Sequence, residues 1–301
     1  MHEHNDESQD IDGRKFPILA VLLPDELHFL RSVAESIEIA ANVAVISEGQ
    51  HVQYLYLLKS GVLRVNKRYN DDIYEINSIT PGEIFGETSM LYQTTASADV
   101  RTLEACELYQ IPVEQVRDIL NTNERFMRSI TQLAERRSAA GALAVNPIFS
   151  TLPQAVREII LYNGQYISLM TNDILFQEGD HDTRFMFIIL GGDAEVSMQH
   201  PQEKNKKIVL AHLSSGDEVG EISVITNKPH AATVTAVSPL RVLMINNASV
   251  QAWRNRYSDF GSALHACVQH KLNHSLETLR DVMDDKTAHT STIDTAPDQH
   301  Q

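Results

Sequence analysis

The chain has 301 residues, of which 43% are hydrophobic, and its formal net charge is −15. This length suggests two domains with ordinary apolar cores. The negative charge argues against nucleic acid as a partner, because phosphate backbones are bound by clustered lysine and arginine.

Cysteine usage and hydropathy exclude several further classes of protein. The two cysteines, Cys106 and Cys267, lie far apart, so neither a disulfide framework nor a CxxC metal site is expected. A reducing, cytoplasmic location is the default interpretation. The polar start of the chain is not expected to be a signal peptide. No apolar run reaches the roughly 18 to 20 residues that span a bilayer, so no membrane partner is expected.

The predicted elements occur in the same order in each half of the chain. A helix that opens at Pro24 precedes the apolar β runs "YLYLL" and "GVLRVNK". One or two helices follow, with a break predicted near Asn121–Asn123. In the second half, the helical segment "LPQAVREIILY" precedes the β runs "FMFIIL" and "GDAEVSM". After Ile245, apolar residues at steps of three and four predict one long amphipathic helix, with Gly261 as its breakpoint.

The two halves are also an internal repeat. Glu48 and Gly49 match Glu178 and Gly179 at an offset of 130 residues. The segment "PGEIFGETSMLYQTTASADV" matches "SGDEVGEISVITNKPHAATV" at an offset of 134. Short strands joined by tight turns predict an α+β, mainly β architecture with two small barrels or sandwiches and flanking helices.

These motifs resemble the cyclic nucleotide-binding domain family, twice over, across residues 16 to 260. The resemblance rests on "SEGQ" and "QEGD", on "GEIFGETSML" and "GDEVGEISVI", and on "KPHAATV". The last of these differs at one position from the family's Pro-Arg-Ala-Ala-Thr-Val. The resemblance implies two jelly-roll-like β-roll domains. Their tandem arrangement resembles the regulatory subunits of cyclic-AMP-dependent kinases.

The implied organisation has five parts. They are a disordered N-terminus, a first domain with its connecting helices, a second domain, a C-terminal amphipathic helix and a disordered tail. Their bounds are 1–15, 16–145, 146–260, 261–283 and 284–301.

The resemblance also assigns a ligand site to each copy. In the family, the segment that "GEIFGETSML" and "GDEVGEISVI" resemble is the phosphate-binding cassette. Its glycine lets the backbone approach a cyclic phosphate, and the adjacent glutamate accepts a hydrogen bond from the ribose 2′-OH. Trp253 and Tyr257 are candidates for a cap over the base, with helix packing as the alternative. The implied ligand-binding residues are Gly220, Glu221, Ile222, Ser223, His230, Ala231 and Ala232 in the second copy, and Gly86, Glu87 and Ser97 in the first.

Both copies lack the arginine that pairs with phosphate in the family. Ala96 stands at that position in the first copy and His230 in the second. The first copy also has Asp99 where the family has threonine, and an acid facing the pocket would repel phosphate. The first site is therefore expected to be degenerate. His230 can donate a hydrogen bond, so the second site is expected to bind weakly, and better below about pH 6.5.

The sequence predicts a regulatory protein rather than an enzyme. No catalytic motif, metal site or cofactor is expected. The predicted ligand is cyclic AMP or cyclic GMP, sensed mainly by the second domain and relayed to an effector protein. The alternatives are a nucleoside sensor and a scaffold that acts without ligand, because both arginines are lost. Homodimerisation through the C-terminal helix is a further expectation.

Overall fold

The computed structural model describes residues 10–69, 71–181, 185–203 and 206–290, with side chains in the last helix described as far as residue 282. The chain forms two compact units, Met1–Val145 and Asn146–Gln301.

The described part of the first unit has eight antiparallel strands. One α-helix precedes them, a short helix lies between the sixth and seventh strands, and two helices follow the last strand. Its strands are β1 Glu35–Ile39, β2 Ala44–Ile46, β3 Tyr54–Ser60, β4 Leu63–Tyr69, β5 Asp72–Ile79, β6 Ile84–Phe85, β7 Asp99–Thr102 and β8 Cys106–Pro112. Its helices are α1 Pro24–Val33, α2 Glu87–Tyr92, α3 Val113–Thr122 and α4 Glu124–Val145. The strands form two four-stranded sheets, in the orders β1-β8-β3-β6 and β2-β7-β4-β5.

The period of two along β3 explains how this unit builds its core. Leu55 and Leu57 point into a cluster that includes buried residues of α3 and α4. Tyr56 and Leu58 point the other way, into a cluster between the strands. A strand buried on both faces reads as a continuous apolar run, as "YLYLL" does.

The second unit repeats this arrangement. Its strands are β9 Gln165–Leu169, β10 Ile174–Phe176, β11 Phe185–Gly191, β12 Ala194–Gln199, β13 Lys207–Leu213, β14 Glu218–Val219, β15 Thr233–Ala236 and β16 Leu240–Asn246. Its helices are α5 Gln154–Asn163, α6 Glu221–Thr226, α7 Asn247–Arg256 and α8 Ser258–Thr290. The sheet orders are β14-β11-β16-β9 and β10-β15-β12-β13. The predicted α+β class with two β-roll domains is confirmed.

The predicted break between the two helices of the first unit is confirmed at Asn123. The side-chain oxygen of Asn123 accepts a hydrogen bond from the backbone N–H of Phe126, which caps α4. Its amide group donates to Glu26 at 2.7 Å, so the helix junction is tied to α1.

The C-terminal helix differs from its prediction. The break lies at Tyr257, which is extended between α7 and α8, and Gly261 lies inside α8. The break lets Phe260 pack edge-on against Phe149 and Trp253. The boundary placed at 260/261 therefore falls within a helix. Helix α8 also continues to Thr290, beyond the predicted start of the tail at 284, and residues 291–301 lie outside the described residues.

The predicted disorder of residues 1–15 is wrong for residues 10–15. Ile11 is fully buried in the core of the first unit, and Asp12 accepts backbone hydrogen bonds from Arg14 and Lys15. One apolar side chain with a place in the core is enough to order a polar segment. Residues 1–9 lie outside the described residues.

Candidate functional site

Each unit contains a sharp turn between a two-residue strand and a short helix. Gly86 follows β6 and Gly220 follows β14, with φ of 90° and 89°. An added Cβ at Gly86 would lie 2.8 Å from the carbonyl oxygen of Tyr54, and one at Gly220 would meet the carbonyl of Phe185. Only glycine fits both the left-handed backbone and the close approach. The turn places Glu87 and Glu221 at the start of α2 and α6.

Glu221 is the central polar group of the second unit. Its side chain is 2% exposed, and Oε1 lies 3.3 Å from Nζ of Lys271 on α8. Its other oxygen, Oε2, is buried and has no hydrogen-bond partner within the described part of the chain. A buried carboxylate oxygen without a donor is costly, and such a group in a native site indicates a missing hydrogen-bond donor.

Lys271 also pairs with a second carboxylate. Its Nζ lies 2.7 Å from Oε1 of Glu218. Oε1 of Glu218 also accepts a hydrogen bond from Cys267, and Oε2 accepts one from the side-chain amide of Asn146. A single ammonium is therefore shared between two buried acids.

This sharing separates the acid strengths of the two carboxyls. Burial raises the pKa of Glu221, and the nearby Glu218 charge adds to that, against the attraction of Lys271. Burial acts on Glu218 as well, but the Lys271 charge and three side-chain hydrogen bonds hold its pKa below the ordinary value. The two carboxylates raise the pKa of Lys271, although burial opposes this. Lys271 is thus a fixed cation.

A cavity of about 420 Å³ lies between the cassette and α8. Its polar lining comes from Glu221, Ser223 and His230 and from His270, Lys271, His274 and Ser275 of α8. Most of the remaining lining is apolar, and it includes Val196, Met198, Leu210 and Leu213 from the strands and Leu272, Leu276 and Leu279 from α8. A cavity of this size, mainly apolar with a few polar groups, is typical of a small-molecule site.

The structure brings the predicted second-copy residues together around this cavity. Its lining includes Gly220, Glu221, Ile222, Ser223, His230, Ala231 and Ala232. The ring of His230 is 4% exposed and stacks on Phe176 with centroids 3.8 Å apart. The hydroxyl of Ser223 donates to the carbonyl of Gly220 at 2.8 Å, so this side chain stabilises the cassette turn.

The first unit holds its cassette glutamate in the same way. Glu87 is 2% exposed, and its Oε2 accepts a hydrogen bond from Nη1 of Arg137 on α4 at 3.1 Å. Glu87 and Arg137 are 50 residues apart, as are Glu221 and Lys271. Each cassette acid is thus neutralised by a cation on the second helix after its own β-roll.

The acid of the first copy does not act as predicted. Asp99 Oδ1 accepts the backbone N–H of Glu48 at 2.8 Å, and Oδ2 pairs with Arg68 at 3.5 Å. In the second copy, Thr233 accepts the N–H of Glu178 in the same position, at 3.0 Å. Asp99 therefore replaces the structural role of a threonine, and its charge is paired with Arg68.

The two other first-copy residues lie between α2 and β7. Ala96 is 6% exposed and belongs to the core between the strands. Ser97 is exposed, and its carbonyl oxygen accepts a hydrogen bond from Nζ of Lys67 at 3.0 Å.

The predicted base cap is not where the sequence placed it. Trp253 packs against Phe260 with ring centroids 6.2 Å apart, and Tyr257 forms the junction between α7 and α8. Neither residue is among those that line the cavity. The helix that covers the cavity is α8, because the break at Tyr257 turns it back across the cassette.

Sequence reasoning missed both Arg137 and Lys271, although the repeat contains the signal. The offset of 134 continues past the strands, so that Arg137 matches Lys271. The buried residues Phe126, Ile130 and Ala134 of α4 match Phe260, Leu264 and Val268 of α8 at the same offset. Extending the comparison into the helices would have found the cations.

Comparison with known families agrees with this geometry. The model of the family described as "Cyclic nucleotide-binding domain" matches residues 36–123 and 166–257. The chain therefore belongs to this family and carries two such domains.

The curated relatives are more specific. The cAMP-dependent protein kinase regulatory subunit of Mycosarcoma maydis is 30% identical over 67% of this chain and 38% of its own length. That of Yarrowia lipolytica is 27% identical over 73% of this chain and 55% of its own length. The chain is thus similar to regulatory subunits of this kinase, and it spans about half the length of these relatives or less.

Among solved structures, the similarity is lower. The regulatory domain of Toxoplasma gondii PKA with cAMP is 19% identical, with a TM-score of 0.40, and the match covers 91% of this chain and 98% of that one. None of the described helices combines the length and apolar character needed to cross a bilayer.

Proposed function

We propose that this chain is a non-catalytic regulatory protein whose second domain binds a ribose-bearing ligand and relays that binding to an effector protein. The observation that carries the proposal is Glu221. Its carboxylate is buried at one end of a cavity, with one oxygen beside Lys271 and the other without a donor among the described residues. A ribose hydroxyl would supply that donor, and the apolar walls suit a flat base.

Family membership favours a cyclic nucleotide, cyclic AMP or cyclic GMP, as the ligand. A second candidate, an uncharged nucleoside, is favoured by the charges around the cavity. The lysine that lines it, Lys271, is already shared by Glu218 and Glu221. A phosphate would add a third anion near that one cation, whereas a nucleoside would add none.

Titration calorimetry on the full chain tests this proposal. Cyclic AMP, cyclic GMP, adenosine and guanosine are titrated into wild type, Glu221→Ala and Glu195→Ala. Glu195 is the matched control, because it lies next to Val196 on β12 and points away from the cavity face. We expect at least one ligand to bind, and Glu221→Ala to remove one binding equivalent that Glu195→Ala keeps.

The outcome also ranks the ligands. Stronger binding of the nucleosides at the Glu221-dependent site would favour the second candidate. No binding to wild type at millimolar concentration would refute the sensor and leave the ligand-independent scaffold. Equal stoichiometry in both variants would show that Glu221 is not part of the binding site and would refute the proposal for the second domain.

The proposed relay runs through α8. This helix forms one wall of the cavity and supplies the cation that holds Glu221. A ligand that bonds to Glu221 and contacts the α8 wall of the cavity would favour one position of α8 over another. The effector protein and the cytoplasmic location stay predictions. Dimerisation through α8 also stays a prediction, and much of its apolar stripe is used within the second unit.

A further inference from the structure

The first unit contains a buried lysine where the second has a methionine. Lys67 lies on β4, and its side chain is 10% exposed. The repeat matches Val65 with Val196, and hence Lys67 with Met198, a residue that lines the second cavity. Lys67 is therefore at a position that faces the cavity in the other unit.

The ammonium group of Lys67 is held at the loop between α2 and β7. Its Nζ donates to the carbonyl oxygen of Ser97 at 3.0 Å, and Ser97 matches the cavity residue Ala231. The nearest described carboxylate is Glu48, 4.0 Å away, which already accepts a hydrogen bond from the backbone of Arg68. An ammonium has three donors, and Ser97 takes one of them in the described part of the chain.

Helix α4 fixes the stem of this side chain. An added Cβ at Gly141 of α4 would lie 3.8 Å from Cδ of Lys67 and 3.4 Å from Ile76. The aliphatic stem thus packs against α4, while the charged end reaches the carbonyl oxygen of Ser97. Burial lowers the pKa of Lys67, and its Coulombic attraction to Glu48 opposes that only partly.

We propose that Lys67 is the phosphate-binding cation of the first unit, in place of the arginine lost at Ala96, and that this unit binds the phosphodiester of a nucleotide. The proposal rests on the proposed function and extends it to the first unit, which carries the same Gly-Glu turn. An anion at Nζ would complete the hydrogen bonding of a cation that is costly to bury without a close partner.

The two cassettes differ in how tightly their cations are paired. Lys271 is held by two described ion pairs, at 2.7 Å to Glu218 and 3.3 Å to Glu221. The described ion pair of Lys67, with Glu48, is 4.0 Å long. Lys67 is therefore the less closely paired of these two cations, and its assignment departs from the expectation that the first site is degenerate.

The test uses the full chain with the second site disabled by Glu221→Ala. Cyclic AMP and adenosine are the probes, because they differ by the phosphodiester. We expect cyclic AMP to bind more tightly than adenosine, and the added substitution Lys67→Met to weaken cyclic AMP at least about tenfold, the low end for a charge-assisted hydrogen bond. Adenosine affinity is expected to stay unchanged.

Three outcomes would overturn the assignment: no residual binding of cyclic AMP, adenosine binding as tight as cyclic AMP, or equal affinity with and without Lys67. Loss of all binding in Glu221→Ala would leave the proposed function of the second unit standing, so the two failures are distinguishable.

A reciprocal variant covers the case in which Lys67→Met does not fold. Met198→Lys transplants the cation into the second unit of the otherwise unchanged chain. The preference of the Glu221-dependent site for cyclic AMP over adenosine is expected to rise at least about tenfold. An unchanged preference in a variant that melts as wild type would count against the role assigned to this strand position.

Discussion

At the scale of single residues, the contacts of Asp99 show that an acid at this position has a structural role. The carboxylate at this position would repel phosphate if it faced the pocket. It instead accepts the N–H of Glu48, as Thr233 does for Glu178. The charge is then paired with Arg68, which is 60% exposed, so the pair itself contributes little to stability.

Asp99→Thr is therefore expected to change the free energy of unfolding by less than about 1 kcal/mol, because the threonine hydroxyl can accept the same hydrogen bond. Asp99→Val keeps the volume but leaves the N–H of Glu48 without this acceptor, and should cost about 1 to 3 kcal/mol. Urea denaturation of both variants measures the difference. Equal stability of the two variants would show that the hydrogen bond has no structural role.

Lys271 makes a second prediction at this scale, with a defined pH dependence. Lys271→Met leaves Glu218 and Glu221 buried without their cation, and should destabilise the second unit by about 3 to 5 kcal/mol at neutral pH. The exposed Lys228 provides the control, Lys228→Met, which should be near neutral.

The deficit of Lys271→Met should shrink as the pH falls. In wild type, the lowered pKa of Glu218 means that its stabilising contribution is present at neutral pH and lost on acidification through that pKa. Once the carboxyls are protonated, Lys271 has less charge to neutralise. Urea denaturation at pH 7 and pH 4 measures this, and an equal deficit at both pH values would contradict the ion-pair account.

At the scale of elements, the cassette turn is the feature that the backbone constrains most tightly. Gly220→Ala places a Cβ against the carbonyl of Phe185 in a left-handed conformation, and should cost about 1 to 3 kcal/mol and weaken ligand binding. Gly179→Ala is the matched control. It has a similar φ of 86°, but nothing lies within 4 Å of the added Cβ.

The comparison of these two alanine variants separates backbone strain from steric contact. If Gly179→Ala destabilises the chain as much as Gly220→Ala, strain alone explains both. If only Gly220→Ala weakens ligand binding in calorimetry, the close approach of strand and turn is what shapes the site.

At the scale of the whole molecule, each unit has buried apolar clusters of its own among the described residues. Two such clusters lie in the first unit, and one built on β11, β12 and β16 lies in the second. A chain of two such units need not unfold in one step. We expect scanning calorimetry to resolve two transitions, and a ligand of the second site to raise one of them.

The size of that shift follows from mass action. At a hundred times the dissociation constant, the ligand should stabilise the second unit by about 2.7 kcal/mol. Glu221→Ala should abolish the shift for this transition and leave the other unchanged. A ligand that raised both transitions equally in Glu221→Ala would show that the binding lies elsewhere.

The sequence by itself determined the two-domain organisation, the strands and the cassettes. These are local features, because a period of two, a glycine turn and a repeated Gly-Glu pair each depend on a few neighbouring residues. It also located residues 220–223 and 230–232, which line the second cavity, but neither the apolar strand residues of its walls nor those on α8.

Only the tertiary structure decided which distant side chains meet the cassette glutamates and which element covers the cavity. Arg137 and Lys271 lie 50 residues after their partners Glu87 and Glu221. The break at Tyr257 sets the direction of α8. The position of Trp253 in the sequence suggested a cap over the base of a ligand, but its ring packs against Phe260. Periodicity identifies which face of a helix is apolar, but the direction of that helix depends on the packing of the whole unit.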